Sequence, residues 1–274
     1  MLTRLLHVSD LHFGARDDPD VERALVALIE WLGPDLVIAS GDLTHRGRRA
    51  QHALAAGFLR RLGPPVLAVP GNHDIPYTYP ARFTTPWREF ELQWQTTEPV
   101  LATPDLHVVG LNSVRPWRHQ SGRLGAAQLA RAAERLAAAA PGALRVVVAH
   151  HQLVGAPWRT RKKPVADRTR VLGHLVDCGA ELILGGHIHQ GAVSERHEFE
   201  VINGDVPGVV ISIAPGLGQP RPHRRGEARG VIAYTASDDR LRVDTYIWRD
   251  DDWALTATRT FSRGRSRLAV AADR

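Results

Sequence analysis

Residues 5–12 read Leu5-Leu6-His7-Val8-Ser9-Asp10-Leu11-His12: a short apolar run that stops at two polar residues spaced one apart. The same figure recurs twice. Leu36-Val37-Ile38-Ala39-Ser40 runs into Gly41-Asp42, and Val66-Leu67-Ala68-Val69 leads to Gly71-Asn72-His73-Asp74. Helical spacing fills the gaps, with Val21, Leu25, Leu28, Ile29 and Leu32 in the first and residues 51–62 in the second. This β-α-β-α-β order predicts a parallel sheet with right-handed crossovers. The carboxyl ends of such strands share one edge, where ligands bind, so the polar residues at these ends belong to one place.

Reading on, residues 75–88 hold Pro76, Pro80 and Pro86 and predict an irregular excursion, followed by a short helix over 83–94. Strands are expected at 107–111, 145–149 and 182–184, and helices at 126–140 and 168–178. The strand at 145–149 runs into His150-His151, and that at 182–184 into Gly186-His187-Ile188-His189. After Gly191 the helical pattern stops. Runs at 209–213, 230–234, 241–248 and 253–260 read as strands with turn signals between them. The expectation is α/β: one domain over 1–262, a second sheet packed on the first with helices outside, and a loose basic tail over 263–274.

Composition narrows the class. The 274 residues are 43% apolar and 23% charged, near the globular average, which excludes wholesale disorder, a collagen-like fibre and a long coiled coil. One cysteine, Cys178, excludes a disulfide framework and a thiolate metal cluster and reads as a small hydrophobe. No apolar run reaches the ~20 residues of a membrane span, and Met1 to Asp10 is too short for a signal peptide, so a cytoplasmic chain is expected. The net charge is +6, and all cations but Lys162 and Lys163 are arginine. Guanidinium suits an anionic substrate, and genome composition explains the bias equally well.

Five strand ends thus bring Asp10, His12, Asp42, Asn72, His150, His187 and His189 towards one edge. Singly, an Asp-x-His or a Gly-Asn-His-Asp is most often a turn feature; five such motifs at five strand ends are hard to assign to chance. They offer carboxylate, amide and imidazole donors without thiolate, a set that suits Mn, Fe or Zn rather than calcium. Seven donors are too many for one transition metal and enough for two. Two such cations, divalent or trivalent, lower the pKa of a water held between them, and the hydroxide attacks phosphorus in line with the leaving oxygen. His73 is placed to protonate the leaving group.

The ordered set Asp10-x-His12, Gly41-Asp42, Gly71-Asn72-His73-Asp74, His150 and Gly186-His187-x-His189 resembles the calcineurin-like metallophosphoesterases. The resemblance implies a four-layer α/β-β/α sandwich of two packed mixed β-sheets flanked by helices. It implies one metal on Asp10, His12, Asp42 and His189, and a second on Asp42, Asn72, His150 and His187, with Asp42 bridging. By the same resemblance His73 contacts the phosphate or acts as the acid, and Asp74 orients it. His151 is then a supporting or pocket residue. A homodimer is common among similar proteins.

Within the family, Leu111-Asn112-Ser113, Ser121-Gly122-Arg123-Leu124 and Gln128-Leu129 resemble the subgroup that includes bacterial cyclic-AMP phosphodiesterases. The expected function is therefore hydrolysis of a small phosphodiester, a cyclic nucleotide among the candidates. His73 argues against the lipid A precursor hydrolases, which usually carry arginine at its place. Two alternatives stay open: a DNA nuclease, suggested by the charge, and a scaffold that keeps the fold without the chemistry. The run Arg159, Arg161, Lys162 and Lys163 reads either as a solvated loop or as a grip on a second phosphate. Trp87, Trp94, Trp117 and Trp158 read as packing residues before base-stacking ones, and His119 and His223 as surface positions.

Overall fold

The computed structural model describes residues 2–263 except 17, 119, 196–207, 219, 220, 222 and 223. His119, His223 and tail residues 264–274 therefore lie outside the described residues. The chain opens with β1 (Thr3–Val8), α1 (Pro19–Leu32), β2 (Leu36–Ala39), α2 (Arg49–Arg61) and β3 (Val66–Ala68). Short helices α3 (Ala81–Thr84) and α4 (Arg88–Trp94) follow, then β4 (Val100–Ala102), β5 (Leu106–Leu111), α5 (Ala126–Ala137), β6 (Leu144–Ala149), α6 (Arg168–Asp177) and β7 (Leu182–Gly185). The chain continues with β8 (Ala192–Glu195), β9 (Val210–Ile213), β10 (Gly230–Ala236), β11 (Arg240–Arg249) and β12 (Asp252–Ser262).

Local chemistry sets these boundaries. Helix α1 starts where the Asp18 carboxylate accepts from the Val21 amide with Pro19 at the first turn, and stops at Gly33 in the left-handed region. The single helix expected over 83–94 is split in two by Pro86, because proline cannot continue a helix hydrogen-bond ladder.

Two six-stranded sheets result, in the orders β12-β11-β10-β1-β2-β3 and β4-β5-β6-β7-β9-β8. Both are mixed. β1, β2 and β3 are mutually parallel, as are β5, β6, β7 and β9, while β10, β11 and β12 and the edges β4 and β8 run antiparallel to their neighbours. The strands after Gly191 divide between the sheets: β8 and β9 complete the second, and β10–β12 extend the first.

Strand alternation builds the layers. One face of the first sheet packs Leu5, Leu36, Ile38 and Leu67 against Val108, Val146, Leu182 and Leu184 of the second, forming the central core. The opposite face puts Leu6, Val8, Val37 and Ala39 under Leu25, Ile29, Phe58 and Leu59 of α1 and α2. The outer face of the second sheet puts Val109, Val147, Ile183 and Ile211 under Leu129, Leu136, Val171 and Leu175 of α5 and α6. This is the expected four-layer α/β-β/α sandwich. Arg263, placed in the loose tail by sequence, is instead docked, its guanidinium donating to Glu181 at 2.9 Å and to the Ser237 carbonyl at 2.7 Å. No helix among the described residues is long and apolar enough to cross a membrane.

Candidate metal centre

The parallel registers of both sheets deliver their carboxyl ends to one edge of the sandwich. There the loops after β1, β2, β3, β6 and β7 are stitched together by main-chain hydrogen bonds. The Asp10 amide donates to the Gly41 carbonyl at 2.9 Å, the His12 amide to the Asp42 carbonyl at 2.9 Å, and the Gly186 amide to the His150 carbonyl at 2.9 Å. Close approach of these loops requires glycine. A Cβ on Gly71 would stand 2.2 Å from Asp42 Oδ1, and one on Gly186 would stand 1.9 Å from Ser9 Oγ.

All seven expected ligands are buried. Asp10, His12 and His189 each present an atom within 4.8 Å of the others, and so do Asp42, His150 and His187. His189 Nε2 lies 3.0 Å and His12 Nε2 3.8 Å from Asp10 Oδ1. His150 Nε2 is 3.4 Å from Asp42 Oδ1, and His12 Nε2 is 3.9 Å from Asp42 Oδ2, so Asp42 touches both groups. Asn72 Oδ1 sits 3.3 Å from His150 Nε2.

The remaining polar atoms are spoken for, which fixes what is left over. Asp10 Oδ2 accepts from Ser9 Oγ at 2.7 Å and the His187 amide at 2.9 Å, and Asp42 Oδ1 accepts from the His73 amide at 2.8 Å. Asp42 Oδ2 is buried with no hydrogen-bond donor, and Asp10 Oδ1 has only His189 Nε2 beside it, at 3.0 Å. His150 Nδ1 faces the Ser40 carbonyl at 2.8 Å and His187 Nε2 faces the Gln120 carbonyl at 3.1 Å. A ring nitrogen against a carbonyl must carry a proton, so Nε2 of His150 and Nδ1 of His187 are the atoms these rings can turn to a metal. Carboxylate, amide and imidazole donors thus converge on one buried point, an arrangement a cation would satisfy. The donor set therefore fits nitrogen- and oxygen-preferring divalent metals.

Electrostatics agree. Burial pushes the Asp10 and Asp42 carboxyls up, but His189 and His150 respectively outweigh it and hold both well below the usual carboxylate range. Burial drives His12 and His187 well below 6.5, which keeps them neutral as ligation requires. Burial also opposes charge on His150, yet Asp42 and Asp10 raise it to about 9. The carboxylates thus ask for positive charge at this point.

His73 stands beside the cage, its ring centroid 4.8 Å from that of His12. The expected partner of its ring is displaced. Asp74 does not touch the imidazole; its buried carboxylate accepts from the amides of Gly71 at 2.8 Å, Leu43 at 3.2 Å and Thr44 at 2.8 Å, and so shapes the loop. The ring is held instead by the His45 carbonyl, 2.8 Å from Nδ1, and by the Tyr77 hydroxyl, 2.9 Å from the same atom. Neither contact is legible in sequence, since one is a main-chain oxygen and the other a tyrosine among prolines. His151 packs beside the ligand set, its ring centroid 4.6 Å from that of His187, with Nδ1 2.8 Å from Ser113 Oγ and its ring against Gly122. The Asn-Ser and Ser-Gly-Arg-Leu segments thus support that histidine. Trp94 packs on Phe90, Trp158 lies under the Arg225 guanidinium at 4.8 Å, and Trp117 is exposed.

A model of the calcineurin-like phosphoesterase family matches residues 3–191, and the chain belongs to that family. Over 228 residues it is 25% identical to a cAMP/cGMP dual specificity phosphodiesterase of Mycobacterium tuberculosis, covering 77% of this chain and 66% of that one. Over 167 residues it is 29% identical to a probable cyclic nucleotide phosphodiesterase of Synechococcus, covering 60% of this chain and 61% of that one. The chain thus spans just under two thirds of these relatives. Among solved structures, a purple acid phosphatase from yellow lupin superposes with a TM-score of 0.70 at 13% identity, over 96% of this chain and 54% of that one. A dimetal phosphatase from Danio rerio gives 0.65 at 12% identity, over 96% and 99%.

Proposed function

We propose that the chain is a phosphodiesterase that uses two metal ions to hydrolyse small phosphodiesters, cyclic nucleotides among them. The observation that supports it most is the pair of ligand groups sharing buried Asp42, with His73 at their edge. Asp10, His12, Asp42 and His189 would hold one ion, and Asp42, Asn72, His150 and His187 the other. Bound there, two divalent cations would supply an acidified water and neutralise charge on the phosphoryl oxygens.

The protein's own groups do the rest. The Ser40 and Gln120 carbonyls hold the His150 and His187 rings in the tautomers that face the cage. The His45 carbonyl accepts a hydrogen bond from His73 Nδ1–H, and the imidazolium form of the ring can then give its Nε2 proton to the leaving oxygen and return to the neutral Nδ1–H form. Asp74 keeps the loop carrying Asn72 and His73 in place through three amides. The diesterase preference draws on the two cyclic nucleotide phosphodiesterases that the chain resembles.

Purified protein with added Mn(II) should hydrolyse bis(4-nitrophenyl) phosphate. Asp42→Ala should lose both bound metal and turnover. Activity that survives this substitution and chelation would refute the mechanism. A panel of cyclic nucleotides, glycerophosphodiesters and phosphomonoesters sets the substrate class, and no turnover of any cyclic nucleotide would end that narrower version.

A further inference from the structure

The basic run at 159–163 does not behave as a solvated loop throughout. Its segment is tied back to the ligand-bearing turn 186–190 at two points: the Trp158 amide donates to Gln190 Oε1 at 2.9 Å, and Lys162 Nζ donates to the His187 carbonyl. Gln190 is itself buried, and the Val165 amide closes the loop on the Gln152 carbonyl at 3.1 Å. Lys162 is thereby held on the flank of the cage formed by His187 and His151; burial lowers its pKa, and Asp10 and Asp42, both within electrostatic reach, oppose that in part. His73 occupies the other flank, beside His12. A cleft of about 450 Å³ opens next to the lysine, lined by Gln152, Trp158, Arg159, Lys162 and Arg168. Among the described residues, Arg159, Arg161 and Lys163 have no acidic partner.

An ammonium group in this position has an electrostatic problem. Two divalent cations in the cage would exceed the charge of Asp10 and Asp42, so a further positive charge at its rim would be repelled unless another anion lay between them. The fold nevertheless anchors the group there with a main-chain hydrogen bond. A phosphoryl group bound at the cage is the anion that resolves the conflict.

We propose that Lys162 is a substrate-binding residue that grips a phosphoryl oxygen from the His187 flank of the cage. The assignment rests on the phosphoesterase reading above and goes beyond it, because it adds a phosphate ligand that is not a metal ligand and comes from a loop outside the five strand-end motifs. Its charge acts on bound phosphate before and during reaction alike, so it acts mainly on binding. The cleft beside it, with Arg159 and Arg168, then receives the ester substituent on that side.

The test uses inorganic phosphate as the probe. Calorimetry on metal-loaded protein should show phosphate binding weakened about 10- to 100-fold in Lys162→Met, the loss of one charge-assisted hydrogen bond. Metal content should stay at the wild-type value. KM for bis(4-nitrophenyl) phosphate should rise by a similar factor with kcat changed far less, and Lys162→Arg, which keeps the charge, should recover most of the affinity. Unchanged phosphate affinity in metal-replete Lys162→Met overturns the proposal. Loss of metal in that variant also overturns it, since the lysine then serves only the His187 carbonyl. A wild-type protein that binds phosphate through Lys162 and hydrolyses no phosphoester would count against the phosphodiesterase reading and leave this assignment standing.

Discussion

Lowering the pH from 7 to 5 should cost this protein about 2 kcal/mol of stability through a single side chain, His7, near the end of β1. Its ring lies between the sheets, with Nε2 2.8 Å from Ser40 Oγ and Nδ1 3.3 Å from the Tyr234 hydroxyl, which donates to Ser212 Oγ at 2.7 Å. Burial lowers its pKa from 6.5 to about 3, with Asp10 only partly opposing. The unfolded chain therefore binds a proton below pH 6.5 that the folded chain refuses until about pH 3. Stability from this group is intact above 6.5 and falls as pH drops through that window. Each unit is worth about 1.4 kcal/mol, so the 1.5 units between 6.5 and 5 give about 2 kcal/mol. Urea unfolding of chelator-treated wild type and His7→Gln at pH 7 and pH 5 isolates the term, because the other buried histidines titrate in both proteins. The wild type should lose about 2 kcal/mol more than the variant over this interval. Parallel losses in the two proteins would refute the reasoning and show that His7 accepts its proton inside the sandwich.

Two further substitutions probe the cage and its edge. His73→Ala should cut turnover about 10²- to 10⁴-fold with metal content unchanged, and Tyr77→Phe, which removes one hydrogen bond to that ring, only about 2- to 10-fold; loss of metal from His73→Ala would make the residue structural. Gly186→Ala forces a methyl to within 1.9 Å of Ser9 Oγ and 2.7 Å of Asp10 Oδ2. It should lower stability by about 1–3 kcal/mol and empty the cage, read by thermal melting and metal analysis; a metal-replete, equally stable variant would mean the loops are looser than their packing indicates.

The clustering of the seven proposed ligands was legible because each sits within a few residues of a strand end, and strand ends in a parallel sheet share an edge. The two layers of helices were legible from spacing such as Val21, Leu25, Leu28 and Ile29, all buried in α1. Edge strands β4 and β8, of three and four residues, were not, because so short a run shows no alternation. The division of the late strands between two sheets was also hidden, since sheet membership depends on long-range pairing such as Thr3 with Ala236. The partners of His73 and His187 are main-chain carbonyls of His45 and Gln120, which every residue possesses and no side chain announces. Lys162 was visible as charge alone; its aim came from where Gln190 and Gln152 pin its loop.

The backbone of the cage shows how seven distant residues meet. Nine non-glycine residues among those described have left-handed φ, and five of them are ligands of the proposed centre: Asp10 at 53°, His12 at 52°, Asp42 at 52°, His187 at 72° and His189 at 58°. Each such residue costs about 1–3 kcal/mol against ordinary backbone. An extended chain would carry Asp10 and His12 onward past the sheet edge, whereas a left-handed residue turns it within one step. The outcome is visible in the 3.8 Å between His12 Nε2 and Asp10 Oδ1. The strain is held by groups that do no chemistry. Asp10 donates its amide to Gly41 and accepts the Gly218 amide, His12 donates to the Asp42 carbonyl, and the His187 amide is taken by Asp10 Oδ2. These bonds cross-link the loops after β1, β2, β7 and β9, so none of these residues can relax without pulling on another loop. The cage is therefore a property of the joined sheet edges, and the seven side chains alone would not reproduce it on a different scaffold.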